Sequence, residues 1–162
     1  MTRYIGIILI SGAISMYGAY LSYRIKVSAK QRKALFELML YIKTGIENGS
    51  VKLTDIYASF DNKHLEDCGF TELLHSASPD ALSHALSESN IKMPEEMKNL
   101  YLDFASSIGK SSYKASALDV CERYTELIKA EENKISEKEE KKEQLYSKLG
   151  LLCGLLAALL LI

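Results

Sequence analysis

The chain has 162 residues with 20 basic and 21 acidic side chains, and its formal charge of −1 at pH 7 excludes a strongly basic nucleic-acid-binding protein. This length suits one ordinary domain, and only two prolines and no tryptophan favour helices over a sheet with many turns. Cys68, Cys121 and Cys153 are odd in number, widely spaced and outside any CxxC pair, which predicts reduced thiols rather than disulfides or structural zinc.

The first predicted element is the uncharged stretch from Ile5 to Tyr23, which has an arginine on each side. As a helix it would measure about 28 Å, close to the thickness of a bilayer core. Gly12 is tolerated in such a helix, and Tyr23 lies where an aromatic belt would meet the interface. A cleaved signal peptide is the competing interpretation, but the stretch is long for one and no clean cleavage site follows. We expect residues 1–26 to form an N-terminal transmembrane anchor.

Helical periodicity predicts several short helices in the polar middle of the chain. The first continues from the anchor and ends near Asn48-Gly49, a typical helix stop. Asp61-Asn62 is a predicted break, and Ser78 is a predicted N-cap followed by Pro79 at the first helical position. The helix that begins at Pro94 presents a core face, which consists of Met97, Leu100, Tyr101, Phe104 and Ile108.

The last predicted helix is long, because no proline or glycine occurs between Ser112 and Gly150. Its first half carries an apolar stripe, which consists of Ala117, Val120, Tyr124, Leu127, Ile128 and Ile135. Residues 136–144 contain no apolar side chain, and favourable pairs such as Glu137 with Lys141 can keep such a run helical in water. The predicted fold is therefore all-α: a compact bundle of about six helices over residues 27–135, followed by a charged helical stalk over residues 136–148.

The stretch from Leu149 to Ile162 is again free of charge and would measure about 21 Å as a helix. That is short for a span by itself, although the stem of Lys148 can extend to the interface. A helix packed in a soluble core is the alternative, but such a helix rarely has apolar residues on every face. We expect residues 149–162, including Gly150, Gly154 and Leu155, to form a C-terminal transmembrane segment.

Basic residues adjoin both apolar stretches on the side of the middle domain. By the positive-inside rule, this arrangement predicts a cell-membrane protein whose central domain is cytoplasmic. The sequence has no glycine-rich phosphate loop and no nucleophile elbow, and the spacing of His64 and Cys68 is too weak a signal for a metal site. We therefore expect no catalytic residue, cofactor or metal, and no enzymatic activity.

Three short motifs carry a family resemblance. They are Leu149-Gly150-x-Leu152-x-Gly154-Leu155, Ile108-Gly109 ahead of Lys110-Ser111, and Ile46-x-x-Gly49-x-x-x-Leu53. With the order of the predicted elements, they make the chain similar to the stage III sporulation protein AB family over essentially its whole length. Ser112 and Ser116 stand where that family is expected to have Asp and Gln.

The resemblance implies a role in the assembly that links mother cell and forespore during sporulation, with the central domain on the mother-cell side. It implies a non-enzymatic platform, similar to the inner-membrane platform protein F of type II secretion systems. The implied partners are the sporulation ATPase, stage III sporulation protein AA, and other membrane subunits; self-association stays open. The alternative is a membrane-anchored adaptor or chaperone unrelated to a secretion ATPase. Candidate docking residues are Lys30, Arg32, Lys33, Ser111 and Ser112, although basic residues beside a membrane helix equally serve orientation or lipid contacts.

Overall fold

The computed structural model describes residues 2–49, 52–76, 78, 80–111 and 113–161. Within these ranges the chain forms seven helices and no strand, so the predicted all-α fold class is confirmed. The helices are α1 (Thr2–Glu47), α2 (Leu53–Ala58), α3 (Lys63–Glu66), α4 (Phe70–Leu74), α5 (Ala81–Glu88), α6 (Glu95–Lys110) and α7 (Lys114–Leu161).

Local signals explain most of the helix ends. Gly49 has a φ of 81°, the left-handed conformation that follows many helices, and α1 ends two residues earlier as predicted. The predicted break at Asp61-Asn62 is confirmed, since both residues lie between α2 and α3. Asn62 also caps α3, because its side chain accepts a hydrogen bond of 3.0 Å from the His64 amide. Ser78 accepts a bond from the Asp80 amide at 3.3 Å, but α5 begins only at Ala81; Pro79 lies outside the described residues.

The chain divides into two compact units. The terminal unit consists of Met1–Val27 and Lys134–Ile162, and the central unit consists of Ser28–Asn133. The finer division into an anchor, a domain, a stalk and a C-terminal membrane segment stays a prediction. Within the described residues, no helix is both long enough and apolar enough to cross a membrane, so the two predicted transmembrane flanks find no support there.

The core of the central unit is made of apolar side chains that recur every three or four residues along its helices. The predicted face of α6 is confirmed, since Met97, Tyr101, Phe104 and Ile108 are buried. On α7 the predicted stripe is partly wrong, because Cys121 is fully buried whereas Leu127 is exposed. Other buried side chains of this core are Leu35, Leu38, Met39, Ile42, Leu65, Leu74, Leu86 and Ile128.

Candidate functional site

The three basic candidates on α1 differ in their surroundings. Lys30 and Lys33 are exposed, whereas the side chain of Arg32 is only 1% exposed. Successive helical residues are turned by about 100°, so residues 30 and 33 lie near one face while residue 32 faces elsewhere. Of the three predicted docking cations, only the two lysines are therefore available on the surface.

Arg32 forms a forked ion pair with Glu132 inside the central unit. Its Nε donates to Oε2 of Glu132 at 2.7 Å, and its Nη2 donates to Oε1 at 3.2 Å. The third nitrogen, Nη1, donates to the hydroxyl of Ser28 at 2.8 Å. This two-bond geometry is the strongest arrangement that a guanidinium and a carboxylate make. It joins α1 to α7 and compensates the charge of the buried arginine.

A cleft of about 320 Å³ lies beside this ion pair, entirely within the central unit. Helix α1 contributes Ala29, Lys33 and Phe36, and Ile128 lies on the α7 side; the Arg32–Glu132 pair also contributes to the wall. The walls are mainly apolar, and Lys33 forms no ion pair with any described residue. The cleft therefore combines an apolar surface with one uncompensated cation.

Tyr101 of α6 also lines the cleft, and its side chain is only 3% exposed. Burial raises the pKa of this tyrosine; the nearby carboxylate of Glu132 raises it further, and Arg32 opposes the change. The hydroxyl therefore stays neutral and able to donate a hydrogen bond near pH 7. It makes no hydrogen bond within the part of the chain that the structure describes.

The second group of predicted docking residues lies between α6 and α7. The hydroxyl of Ser111 donates to the carbonyl of Ser107 at 3.0 Å, which satisfies a carbonyl near the end of α6. Ser112 lies outside the described residues. The next side chain, Tyr113, is exposed. Partner docking through the two serines stays a prediction.

Among the described residues, the imidazole of His64 and the thiol of Cys68 make no hydrogen bond to each other. The thiol of Cys68 donates instead to backbone carbonyls, at 3.2 Å to Leu65 and at 3.9 Å to His64. Burial raises the pKa of this thiol, so it is a poor metal ligand or nucleophile. Across the described ranges, no group of three or more His, Cys, Asp or Glu residues could hold a metal ion.

In the terminal unit, α1 and α7 approach closely at small residues. A Cβ atom added to Gly18 would lie 2.8 Å from the Cα of Gly150 and 2.8 Å from the carbonyl oxygen of Tyr146. A Cβ atom added to Gly154 would collide with the hydroxyl of Ser15. Glycine is therefore needed at these three positions for the backbones to approach as closely as they do.

Polar contacts fix the register of the two helices. The hydroxyl of Ser15 donates to the carbonyl of Gly150 at 3.5 Å, and Lys26 pairs with Glu143 at 3.1 Å. Positions that increase along α1 thus meet positions that decrease along α7, so the helices are antiparallel. The stalk also contains the predicted pair between Glu137 and Lys141, at 2.9 Å, which lowers the pKa of the carboxyl by a hydrogen bond and by charge attraction.

The predicted membrane residues divide between the inside and the outside of this helix pair. Gly150 and Gly154 are buried at the helix contact. Tyr23, Leu149 and Leu155 are exposed. Gly12 is also exposed, with nothing within 4 Å of an added Cβ atom, and the side chain of Ile5 lies outside the description.

Several residues that organise both regions are not predictable from local sequence signals. The partners of Gly150 and Gly154, namely Ser15 and Gly18, were not identified, although Gly150-x-x-x-Gly154 is a known spacing for close helix contacts. Glu132 was missed because no local signal connects it with a residue one hundred positions earlier. Phe36 and Ile128 are ordinary apolar residues in the sequence, and only the fold places them on one cleft.

The family model for stage III sporulation protein AB matches residues 3–162. No curated protein matches the chain, and no solved structure does. The family match covers both units, including the motifs around Gly49, Gly109 and Gly150. This chain therefore belongs to the stage III sporulation protein AB family.

Proposed function

We propose that this protein is a non-enzymatic platform subunit of the sporulation channel between mother cell and forespore, where it docks a secretion-type ATPase at the membrane. The observation that carries the proposal is the family match over residues 3–162, since membership supports a role in stage III of sporulation. The family is one of structural and assembly proteins. The platform role and the ATPase go further and rest on the resemblance to platform protein F.

Membrane attachment is supported by the outer surface of the terminal unit. Large apolar side chains surround its helix pair, and contiguous exposed apolar surface of this kind is typical of an interaction site or a membrane contact. Between the two helices lie small residues, the packing that brings membrane helices together. The exposed side chains are Leu9, Ile10, Met16, Tyr17, Tyr20, Tyr23, Leu145, Leu149, Leu151, Leu152, Leu155, Leu156 and Leu159.

Orientation follows from the exposed cations. Arg24, Lys26, Lys30 and Lys33 follow the first apolar stretch, and four lysines precede the second. The positive-inside rule then assigns the central unit to the cytoplasm of the mother cell. A cytoplasmic ATPase could reach it there. Of the two exposed lysines, Lys33 is the proposed docking cation, because it lines the cleft beside the Arg32–Glu132 pair whereas Lys30 does not.

Deletion of the gene in its native spore-forming host tests the proposal. We expect few heat-resistant spores, forespores that stall after engulfment, and loss of the stage III AA ATPase from membrane fractions. The full-length gene should restore all three, and a gene truncated before Leu149 should not. Normal spore counts would overturn the sporulation role. Normal ATPase location in stalled cells would overturn ATPase docking and favour the adaptor alternative.

A further inference from the structure

The cleft of the central unit has the chemical character of a recognition site. Its apolar walls include Phe36 of α1 and Ile128 of α7. An exposed apolar cavity of about 320 Å³ is at the small end of binding pockets, which range over roughly 300–1,000 Å³. Its volume suits one or two large side chains rather than a long acyl chain. Along α1 it extends from Ala29 to Phe36, about 10 Å.

The charged side chains of the cleft determine which polar group a bound molecule should carry. Arg32 and Glu132 neutralise each other, which leaves Lys33 as the uncompensated cation on the wall. Tyr101 lines the cleft, and its hydroxyl makes no hydrogen bond to a described residue, so it is available to donate to an occupant. An acceptor oxygen that carries negative charge would satisfy both groups. A carboxylate has that charge and that geometry.

We propose that this cleft is the docking site for a partner protein's helical segment, which inserts a large apolar side chain between Phe36 and Ile128 and presents a carboxylate to Lys33 and Tyr101. The proposal rests on the proposed function, since it identifies the surface through which a platform domain would hold its partner. An amphipathic segment in a groove is a common mode of recognition, with apolar anchors one helical turn apart. The carboxylate fixes the orientation of the bound segment, because Lys33 lies on the wall of the cleft that α1 forms.

Fluorescence anisotropy on the purified full-length chain in mild detergent tests the docking site. The probe is a short fluorescein-labelled helical peptide with leucine and glutamate on one face; a second peptide has lysine in place of glutamate. We expect the wild-type chain to bind the glutamate peptide and not the lysine peptide. Ala29→Phe, which fills the cleft, and Lys33→Glu, which reverses its charge, should each weaken binding about tenfold or more.

Two matched variants serve as controls. Ala130→Phe adds the same ring at an exposed position of α7, and Lys30→Glu reverses an exposed cation of α1 that does not line the cleft. Both should bind the glutamate peptide like the wild type, and circular dichroism should be the same for all four variants. Equal loss in Lys30→Glu and Lys33→Glu would overturn the cleft in favour of a diffuse basic surface. If the chain binds phosphatidylglycerol vesicles and Ala29→Phe abolishes that binding, the occupant of the cleft is a lipid and the proposed peptide site is wrong.

The same variants separate this inference from the proposed function. Lys33→Glu and Ala29→Phe, expressed in sporulating cells, should release the stage III AA ATPase from the membrane, whereas Lys30→Glu should retain it. If the ATPase needs this chain for membrane location but tolerates both cleft variants, the docking site is wrong and the platform function stands. If the cleft variants lose peptide binding but the ATPase stays at the membrane even when the gene is deleted, the proposed function is wrong and the docking site stands.

Discussion

The two units of this chain distribute their apolar side chains in opposite ways. In the central unit the large ones are inside: Leu86 is 0% exposed, and Phe104 packs against Tyr124 with 5.8 Å between ring centroids. In the terminal unit many large ones are outside, as Leu152 is 54% exposed, while glycine and serine occupy the contact between the helices. Helices of similar regularity therefore follow two different packing rules within one chain.

The contrast indicates two different driving forces. Burial of apolar area stabilises the central unit, at roughly 25 cal/mol per Å² removed from water. That force cannot hold the terminal helices together through glycine, which has no side chain to bury. Close backbone approach and a hydrogen bond such as that from Ser15 to Gly150 are the interactions that operate where the surroundings are themselves apolar. A lipid environment around the terminal unit is what the proposed membrane attachment predicts.

Leucine truncation in each unit tests the contrast with the largest expected effect. Leu86→Ala in the central core should lower the free energy of unfolding by about 2–5 kcal/mol, because it removes buried methyl groups and leaves a cavity. Leu152→Ala, on the outside of the terminal unit, should change it by less than about 0.5 kcal/mol. Guanidinium unfolding of the full chain in mild detergent, followed by near-ultraviolet circular dichroism, measures both. Equal effects would remove the distinction between the units.

Loss of the Glu132 carboxylate should have the next largest effect. Glu132→Ala leaves the guanidinium of Arg32 buried without its anionic partner, which typically costs about 3–5 kcal/mol. We expect the lower end, because Glu132 is partly exposed and Ser28 still accepts a bond from Arg32. Glu126→Ala, an exposed glutamate on the same helix, is the control and should change stability little. An unchanged unfolding midpoint in Glu132→Ala would contradict the structural role of the pair.

Replacing a glycine of the terminal unit by a larger residue tests whether close backbone packing holds its two helices together. Gly18→Leu should separate the two helices, at a cost of about 1–3 kcal/mol, because its side chain would meet the backbone of Gly150. Gly12→Leu, on the same helix and in open space, is the matched control. A crosslink by a short bismaleimide between cysteines introduced at Lys26 and Glu143 reports the pairing. Equal crosslink yields in the two leucine variants would show that close packing is not required.

A pH titration gives the smallest effect and applies to the central unit alone. Burial raises the pKa of Cys121 to about 11 from an ordinary value of 9.0, so the unfolded chain loses its thiol proton first as pH rises. Stability from this group is fully present below pH 9 and is lost between pH 9 and 11, by up to about 1.4 kcal/mol per pH unit. Cys121→Ala should flatten the decline between pH 9 and 10. An unchanged slope would contradict it.

Local patterns predicted the helical parts of this protein well. The stop at Gly49 and the core face around Phe104 follow from backbone conformation and from 3.6-residue periodicity, both of which the sequence contains. The short helix α3 escaped prediction because Asn62 can either break a helix or cap the next one. At Cys121, tertiary packing buries a position next to the predicted stripe.

The candidate site depended on contacts that distant residues make. Arg32 sits in a run of cations whose pattern is the same whether each points to water or to a carboxylate, so the burial of one member could not be predicted. The partner of Gly18 lies more than one hundred residues away, and the spacing of Gly150 and Gly154 indicates close packing without naming the opposite helix. The cleft beside Lys33 arises from three helices, none of which contains a motif for it.

Labelling of Cys153 tests the central claim, that the two units face different solvents, most directly. The thiol is exposed on the outside of the terminal unit, whereas Ala130 is an exposed position of α7 in the central unit. In opened membranes from sporulating cells, a membrane-impermeant maleimide should label Ala130→Cys quickly and leave Cys153 unlabelled, with equal labelling of both once dodecyl sulfate dissolves the bilayer. Equally fast labelling of Cys153 in the intact membranes would mean that its surface faces water, and would contradict the account.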